Sequence, residues 1–204
     1  MVKGLFRKVI IVCGLLLVLI LGRRQYQQYL QASLAQKVIR FHVLANSDLA
    51  ADQQVKLKVR DAVGAYVEVL LQDSDSMEET RSIIRKNLVD IAKQADRVLK
   101  AEGMEYGAKA KLATSSFPVK EYGNLRFPAG KYEAVRVVLG QGKGHNWWCV
   151  MYPNLCFSAS VKKEHKKAWK QFSKSLSPDE WEMVFRKKKY SIRWKFLEYL
   201  RKKR

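Results

Sequence analysis

Residues 9–21 form an almost purely apolar run of thirteen, with Lys3, Arg7 and Lys8 before it and Arg23 and Arg24 after it. A buried core strand or helix is the alternative reading, and basic brackets of this kind are uncommon around core segments. Thirteen residues is the length of a signal-peptide hydrophobic region and falls short of the about 20 that a spanning helix needs. The cations ahead of the run, together with the amino terminus, outnumber those behind it, which places the terminus in the cytoplasm and the following domain outside. Residues 1–24 are therefore expected to be a signal peptide or membrane anchor, and residues 25–36 a linker. Ser33-Leu34-Ala35 has the small-x-small form of a cleavage site, although it lies well beyond the apolar run.

What remains of the 204 residues suffices for one well-buried domain and not for two. The formal charge of +20 is unevenly spread: residues 25–157 carry 18 Lys/Arg against 14 Asp/Glu, whereas residues 158–204 carry 16 against five. A nearly balanced middle with a basic tail argues against a uniformly cationic nucleic-acid binder. Lys162, Lys163, Lys166, Lys167, Lys170 and Lys174 with Trp169 and Phe172 have the charge and aromatic interleaving of a nucleic-acid surface. An exported chain meets no cytoplasmic nucleic acid, so an anionic membrane surface or a cell-wall polymer is the partner open to this tail.

Residues 37–46 set Ile39, Phe41, Val43 and Ala45 on one face and Arg40, His42, Leu44 and Asn46 on the other, which predicts a strand. Asn46-Ser47-Asp48 offers helix caps, and Val55, Val59, Ala62, Val63, Tyr66, Val67 and Leu70 recur at helical spacing. A second apolar stripe, Ile84, Leu88, Ile91, Ala95, Val98 and Leu99, follows the capping box Ser76-Met77-Glu78-Glu79 and can end at Gly103. Beyond it come candidate strands at 108–113, 132–139 and 146–152, a short helix from Ser177 through Phe185, and a period-two segment at 190–196. The expected fold class is α+β: a single compact domain with a mainly antiparallel sheet packed by two long helices, preceded by the signal or anchor segment. Residues 37–157 would be its core and 158–204 a basic extension of the same domain, ending in a strand and a charged tail.

Several constellations invite chemistry. His42, Ser47 and Asp48 suggest a triad, yet a strand puts His42 and Ser47 on opposite faces about 16 Å apart, and the polar trio is better explained as a helix cap. Gly140-Gln141-Gly142-Lys143-Gly144 lacks the gap and the terminal Lys-Ser/Thr of a phosphate loop and reads as a hairpin loop. It delivers Trp147 and Trp148, of which one can enter the core while the other points outward as a docking anchor. Cys149 and Cys156, separated by six residues in an oxidising compartment, are expected to form a local disulfide. A metal site of His145 with both thiols lacks a fourth ligand, so no metal or other cofactor is expected.

Phe41-His42-Val43-Leu44-Ala45-Asn46-Ser47-Asp48 with Leu57-Lys58-Val59-Arg60-Asp61-Ala62-Val63 resembles the amino-terminal signature of the stage II sporulation protein R family. Phe127-Pro128-Ala129-Gly130-Lys131-Tyr132-Glu133-Ala134-Val135-Arg136-Val137 and Gly142-Lys143-Gly144-His145-Asn146-Trp147-Trp148-Cys149-Val150-Met151-Tyr152-Pro153 resemble its second, more specific block. The likeness runs over roughly residues 37–200 and departs at the lysine-rich stretch 158–190. It implies a non-enzymatic signal made in the forespore of endospore-forming bacteria and exported into the space between the two cells. There it would activate a membrane-embedded aspartic protease of the mother cell, stage II sporulation protein GA, so that the precursor of sigma factor E is processed. His42, Arg60, Phe127, Trp147 and Trp148 are the expected partner contacts. The rival readings are a cell-envelope hydrolase using His42 with Asp48 or Asp61, and a basic envelope or nucleic-acid binder.

Overall fold

Alternation in residues 39–44 does produce a strand, β1 (Ile39–Leu44), and all six of its residues are buried, so both of its faces are covered. The computed structural model describes residues 2–153 and 166–185, apart from the side chains of residues 2–5, 9 and 166–168. After β1 come α2 (Ala50–Leu70), α3 (Met77–Lys86) and α4 (Leu88–Ala101). They are followed by β2 (Ala108–Phe117), β3 (Lys120–Tyr122), β4 (Leu125–Phe127), β5 (Gly130–Leu139) and β6 (Asn146–Tyr152). Ahead of β1 runs α1 (Val2–Ala35), and α5 (Lys166–Ser175) and α6 (Pro178–Val184) complete the described chain.

Four strands make one sheet in the order β2-β5-β1-β6, in which the β1–β5 pair is parallel and the other two pairs are antiparallel. One face carries Phe41, Val43, Val135, Val137 and Trp147 and packs under the helices. The helices are tied to it by Arg81 of α3 on Glu133 of β5 at 2.7 Å and by Asp96 of α4, which accepts from the Ala108 N–H of the edge strand β2 at 2.6 Å. On the opposite face the hairpin β3–β4 covers one end of the sheet, turning at Gly123 with a φ of +60° that favours glycine. The fold is thus α+β with a mainly antiparallel sheet, as the sequence indicates.

Several expectations need correction. The linker is helical: residues 25–36 mostly continue α1, whose carboxy-terminal half lies on β5 and α6. Leu30 and Leu34 are 4% and 0% exposed, Lys37 pairs with the buried Glu180 at 2.5 Å, and the Tyr26 hydroxyl donates to Asp179. The second helical stripe breaks at Asn87, whose side-chain amide donates to the Ile83 carbonyl at 2.8 Å and competes with helix continuation. Asn46-Ser47-Asp48 does not cap α2, since Leu49 occupies the cap position without a side-chain bond. Sequence reasoning also missed β3, β4 and α5, whereas the Ser177 capping box of α6 is formed as expected. The strand expected at 190–196 lies outside the described residues.

Upstream of Arg23, α1 projects from the domain with Ile10, Ile11, Val12 and Leu15 through Leu21 all at least half exposed. Among the described residues, no helix is long and apolar enough to cross a membrane. Ser33-Leu34-Ala35 is therefore packed structure, because a cut after Ala35 would take Leu30 and Leu34 out of the core. Leu34→Ala should cost about 2 to 5 kcal/mol through lost burial and a residual cavity. Urea unfolding checks it, and a loss below about 1 kcal/mol would mean that α1 does not belong to the folding unit.

Candidate functional site

The two sequence blocks meet at one end of the sheet, where the β1–α2 loop and the β5–β6 loop are laced together. The Gly144 N–H donates to the Ala45 carbonyl at 2.9 Å, and the Lys143 N–H to the Asn46 carbonyl at 3.1 Å. A Cβ on Gly144 would lie 2.1 Å from the Ser47 carbonyl oxygen, so the approach requires glycine there. Asp48 accepts from the His145 N–H at 2.7 Å and meets its ring Nδ1 at 2.5 Å. Those contacts hold the Asp48 carboxyl below its ordinary pKa.

Behind this lace sits Asp52. Burial alone would raise its pKa, but donors from Ser47 at 2.6 Å, Asn46 at 2.9 Å and the Tyr106 hydroxyl outweigh burial and hold it low. Ser47 is thereby committed to Asp52 and unavailable to an imidazole. The hydrolase pairing of His42 with Asp48 or Asp61 is not formed either. Asp48 holds His145, Asp61 accepts from Arg60 at 2.7 Å, and neither ring nitrogen of His42 has a hydrogen-bond partner among the described residues.

His42 is instead a packed aromatic. It stacks on Trp148 with ring centroids 4.9 Å apart and planes 7° from parallel, and Phe117 packs against both rings, 5.2 Å from His42 and 4.7 Å from Trp148. Trp148 and Trp147 are both half-buried, on opposite faces of β6, and Trp147 packs edge-on to Phe41 with the Arg60 guanidinium 5.2 Å from its ring. Phe127, expected at a docking surface, is 0% exposed and forms a wall of the core. Of the five expected contacts the structure brings His42 to Trp148 and Arg60 to Trp147, on opposite faces of the sheet, and it places Phe127 elsewhere.

Sequence reasoning missed Arg40. Its guanidinium is 0% exposed and lies 4.4 to 5.8 Å from the rings of Phe117, Tyr132, Phe127 and Tyr122. It donates to the Cys149 carbonyl at 3.0 Å and to the Tyr122 hydroxyl at 3.2 Å. The signal available in the sequence was an arginine two residues from His42 on the same strand face. The expected Cys149–Cys156 bridge is also not found: Cys149 is a free, buried thiol in the sheet, 3.8 Å from the Val150 carbonyl oxygen. Cys156 lies outside the described residues. Among the described residues no cluster of three metal-ligating side chains occurs.

Fold and surface together define a small α+β domain carried on an amino-terminal helix. The chain belongs to the stage II sporulation protein R family, whose model matches residues 35–162. It is 40% identical over 149 residues to stage II sporulation protein R of Bacillus subtilis (strain 168), covering 70% of this chain and 66% of that relative's length. No solved structure matches.

A pH dependence follows from His42. Burial first, then the guanidiniums of Arg136 and Arg40, lowers its pKa from 6.5 to about 4, so it is neutral at pH 7. The unfolded chain takes up the proton near pH 6.5, hence stability is lost as pH falls from 6.5 toward 4, by roughly 3 kcal/mol in full. His42→Gln should flatten the profile across that window. Urea midpoints at pH 7 and pH 4.5 for both proteins test this, and an equal loss in the variant would assign the slope to other groups.

Proposed function

We propose that this chain is an intercellular signal of sporulation, exported from the forespore, that docks on the membrane-embedded aspartic protease stage II sporulation protein GA. In this reading docking switches the protease on, and the precursor of sigma factor E is then processed. The observation that carries it is membership of the stage II sporulation protein R family over a match that takes in every strand of the sheet. Support comes from the apolar stretch of α1, exposed on all sides and preceded by Arg7 and Lys8, as an export segment would be. The packed, unpartnered imidazole of His42 and the commitment of Ser47 to Asp52 fit a ligand better than a hydrolase.

A docked ligand activates only by binding the active arrangement of its target more tightly than the resting one. Shifting a protease from about 1% to about 99% active requires roughly 5 kcal/mol of such preference. Export is the first step to test. Leu16→Arg with Leu17→Arg places two charges in the apolar run, each costing about 3 kcal/mol at a membrane centre. Precursor processing in sporulating cells should stop while the protein accumulates inside the forespore, and continued processing by the trapped protein would overturn the signalling model.

A second test separates ligand from enzyme by dose. His42→Gln should weaken activation about several-fold and recover as the exported level rises, because occupancy follows concentration. A general base would contribute about 10²- to 10⁴-fold, and added protein would not replace it. A folded variant that stays inactive at every dose would reverse the assignment.

A further inference from the structure

The face of the sheet away from α2, α3 and α4 carries one continuous cross-strand row. Lys111 of β2 stands opposite Arg136 of β5, Arg136 opposite His42 of β1, and His42 opposite Trp148 of β6. The next row outward is Lys109, Val138, Leu44 and Asn146, so three cations and no carboxylate occupy these two rows. Lys109 and Lys111 are exposed, and Arg136, Val138, Asn146 and Trp148 are half-buried.

Two features of the row are unfavourable for the isolated domain. Lys111 and Arg136 are like charges directly opposite each other on one face, an arrangement that destabilises a sheet. Polar atoms here are also buried without a hydrogen-bond partner among the described residues: Arg136 Nε, Asn146 Oδ1, both ring nitrogens of His42, and Nη1 of the neighbouring Arg40. Arg136 Nε, Arg40 Nη1 and the one protonated ring nitrogen of His42 are donors without acceptors, and such donors set among cations are the complement of a carboxylate, whereas Asn146 Oδ1 is an acceptor. The residues outside the described range carry Lys and Arg in large excess over Glu, so their charge repeats that of the face instead of opposing it. Three cations beside a tryptophan suit one or two carboxylates with an apolar neighbour, and are few for a phosphate backbone.

We propose that this row is the docking surface for an acidic segment of the protein partner, with Lys109, Lys111 and Arg136 receiving its carboxylates and Trp148, stacked on His42, receiving its apolar side chain. The proposal rests on the docking reading above and names the face that performs it.

Its test uses the full chain and vesicles of phosphatidylcholine carrying stage II sporulation protein GA, with protein-free vesicles and a single-stranded DNA oligonucleotide as parallel probes. Lys109→Glu with Lys111→Glu changes two exposed side chains and places a carboxylate opposite Arg136. It should weaken binding to protease vesicles by about tenfold or more while leaving the melting temperature unchanged or higher. Equal binding by wild type and variant would overturn the proposed face and leave the docking reading standing. A wild type that ignores protease vesicles would overturn the docking reading, and the proposed occupant with it. Equal wild-type binding to protein-free vesicles, or tighter binding to the oligonucleotide, would replace the acidic protein segment with lipid or nucleic acid.

Discussion

A buried guanidinium that has no carboxylate partner among the described residues holds this molecule together. Arg40 is fully buried, and removing a guanidinium from water costs several kcal/mol even after relaxation. Four ring contacts offset that cost, each worth about 1 to 2 kcal/mol when desolvated, together with two hydrogen bonds. The rings come from the end of β2, both strands of the small hairpin, and β5. A two-stranded hairpin of three-residue strands is marginal by itself, and here Tyr122 and Phe127 are tied to the main sheet through the arginine. Phe185, just after α6, bridges to Leu125 of the hairpin, and Glu180 of α6 holds Lys37 just after α1. Order at Arg40 therefore reaches α1 through three successive contacts.

Because α1 is continuous, its apolar portion and the domain form one mechanical unit. From Leu21 to the buried Leu30 is nine residues, or about 14 Å of helix at 1.5 Å each. Any surface that covers the exposed apolar residues consequently holds the domain close by. Glu180 reinforces the joint: burial works to raise its pKa, and Lys37 with the Ser177 N–H outweighs it, so the carboxylate stays ionised where it pairs.

Much of the fold was legible because its signals are local. The period-two pattern of β1, the stripe Val55, Val59, Val63 and Val67 of α2, and the Ser177 cap of α6 depend only on near neighbours in sequence. What escaped reading depends on distant partners. Residues 25–36 look like a polar linker until Leu30 and Leu34 meet β5 and α6, and Asn87 breaks a stripe whose apolar spacing continues through it. Phe127 reads as an anchor because an exposed and a buried aromatic are identical in sequence, whereas a lone arginine in a strand, Arg40, gives no hint of the rings it will meet. The docking row was out of reach for the same reason, since Lys111, Arg136, His42 and Trp148 come from four strands whose register only folding sets.

That register also decides how the exposed face behaves electrostatically. His42 sits next to Arg136 in one row and two residues from Arg40 on its own strand, so protonating it would add a third positive charge to a desolvated cluster. The imidazole accordingly remains neutral through the neutral range, and the charge of the face rests on Arg136 and two exposed lysines. Arg40 adds a fixed positive charge beneath the surface, where salt screens it far less than it screens Lys109 or Lys111. A carboxylate approaching the row thus meets a potential with a screened outer part and a persistent inner part. Encounter with the proposed acidic partner would be salt-sensitive as a result, while the complex once seated would keep its inner attraction at physiological ionic strength.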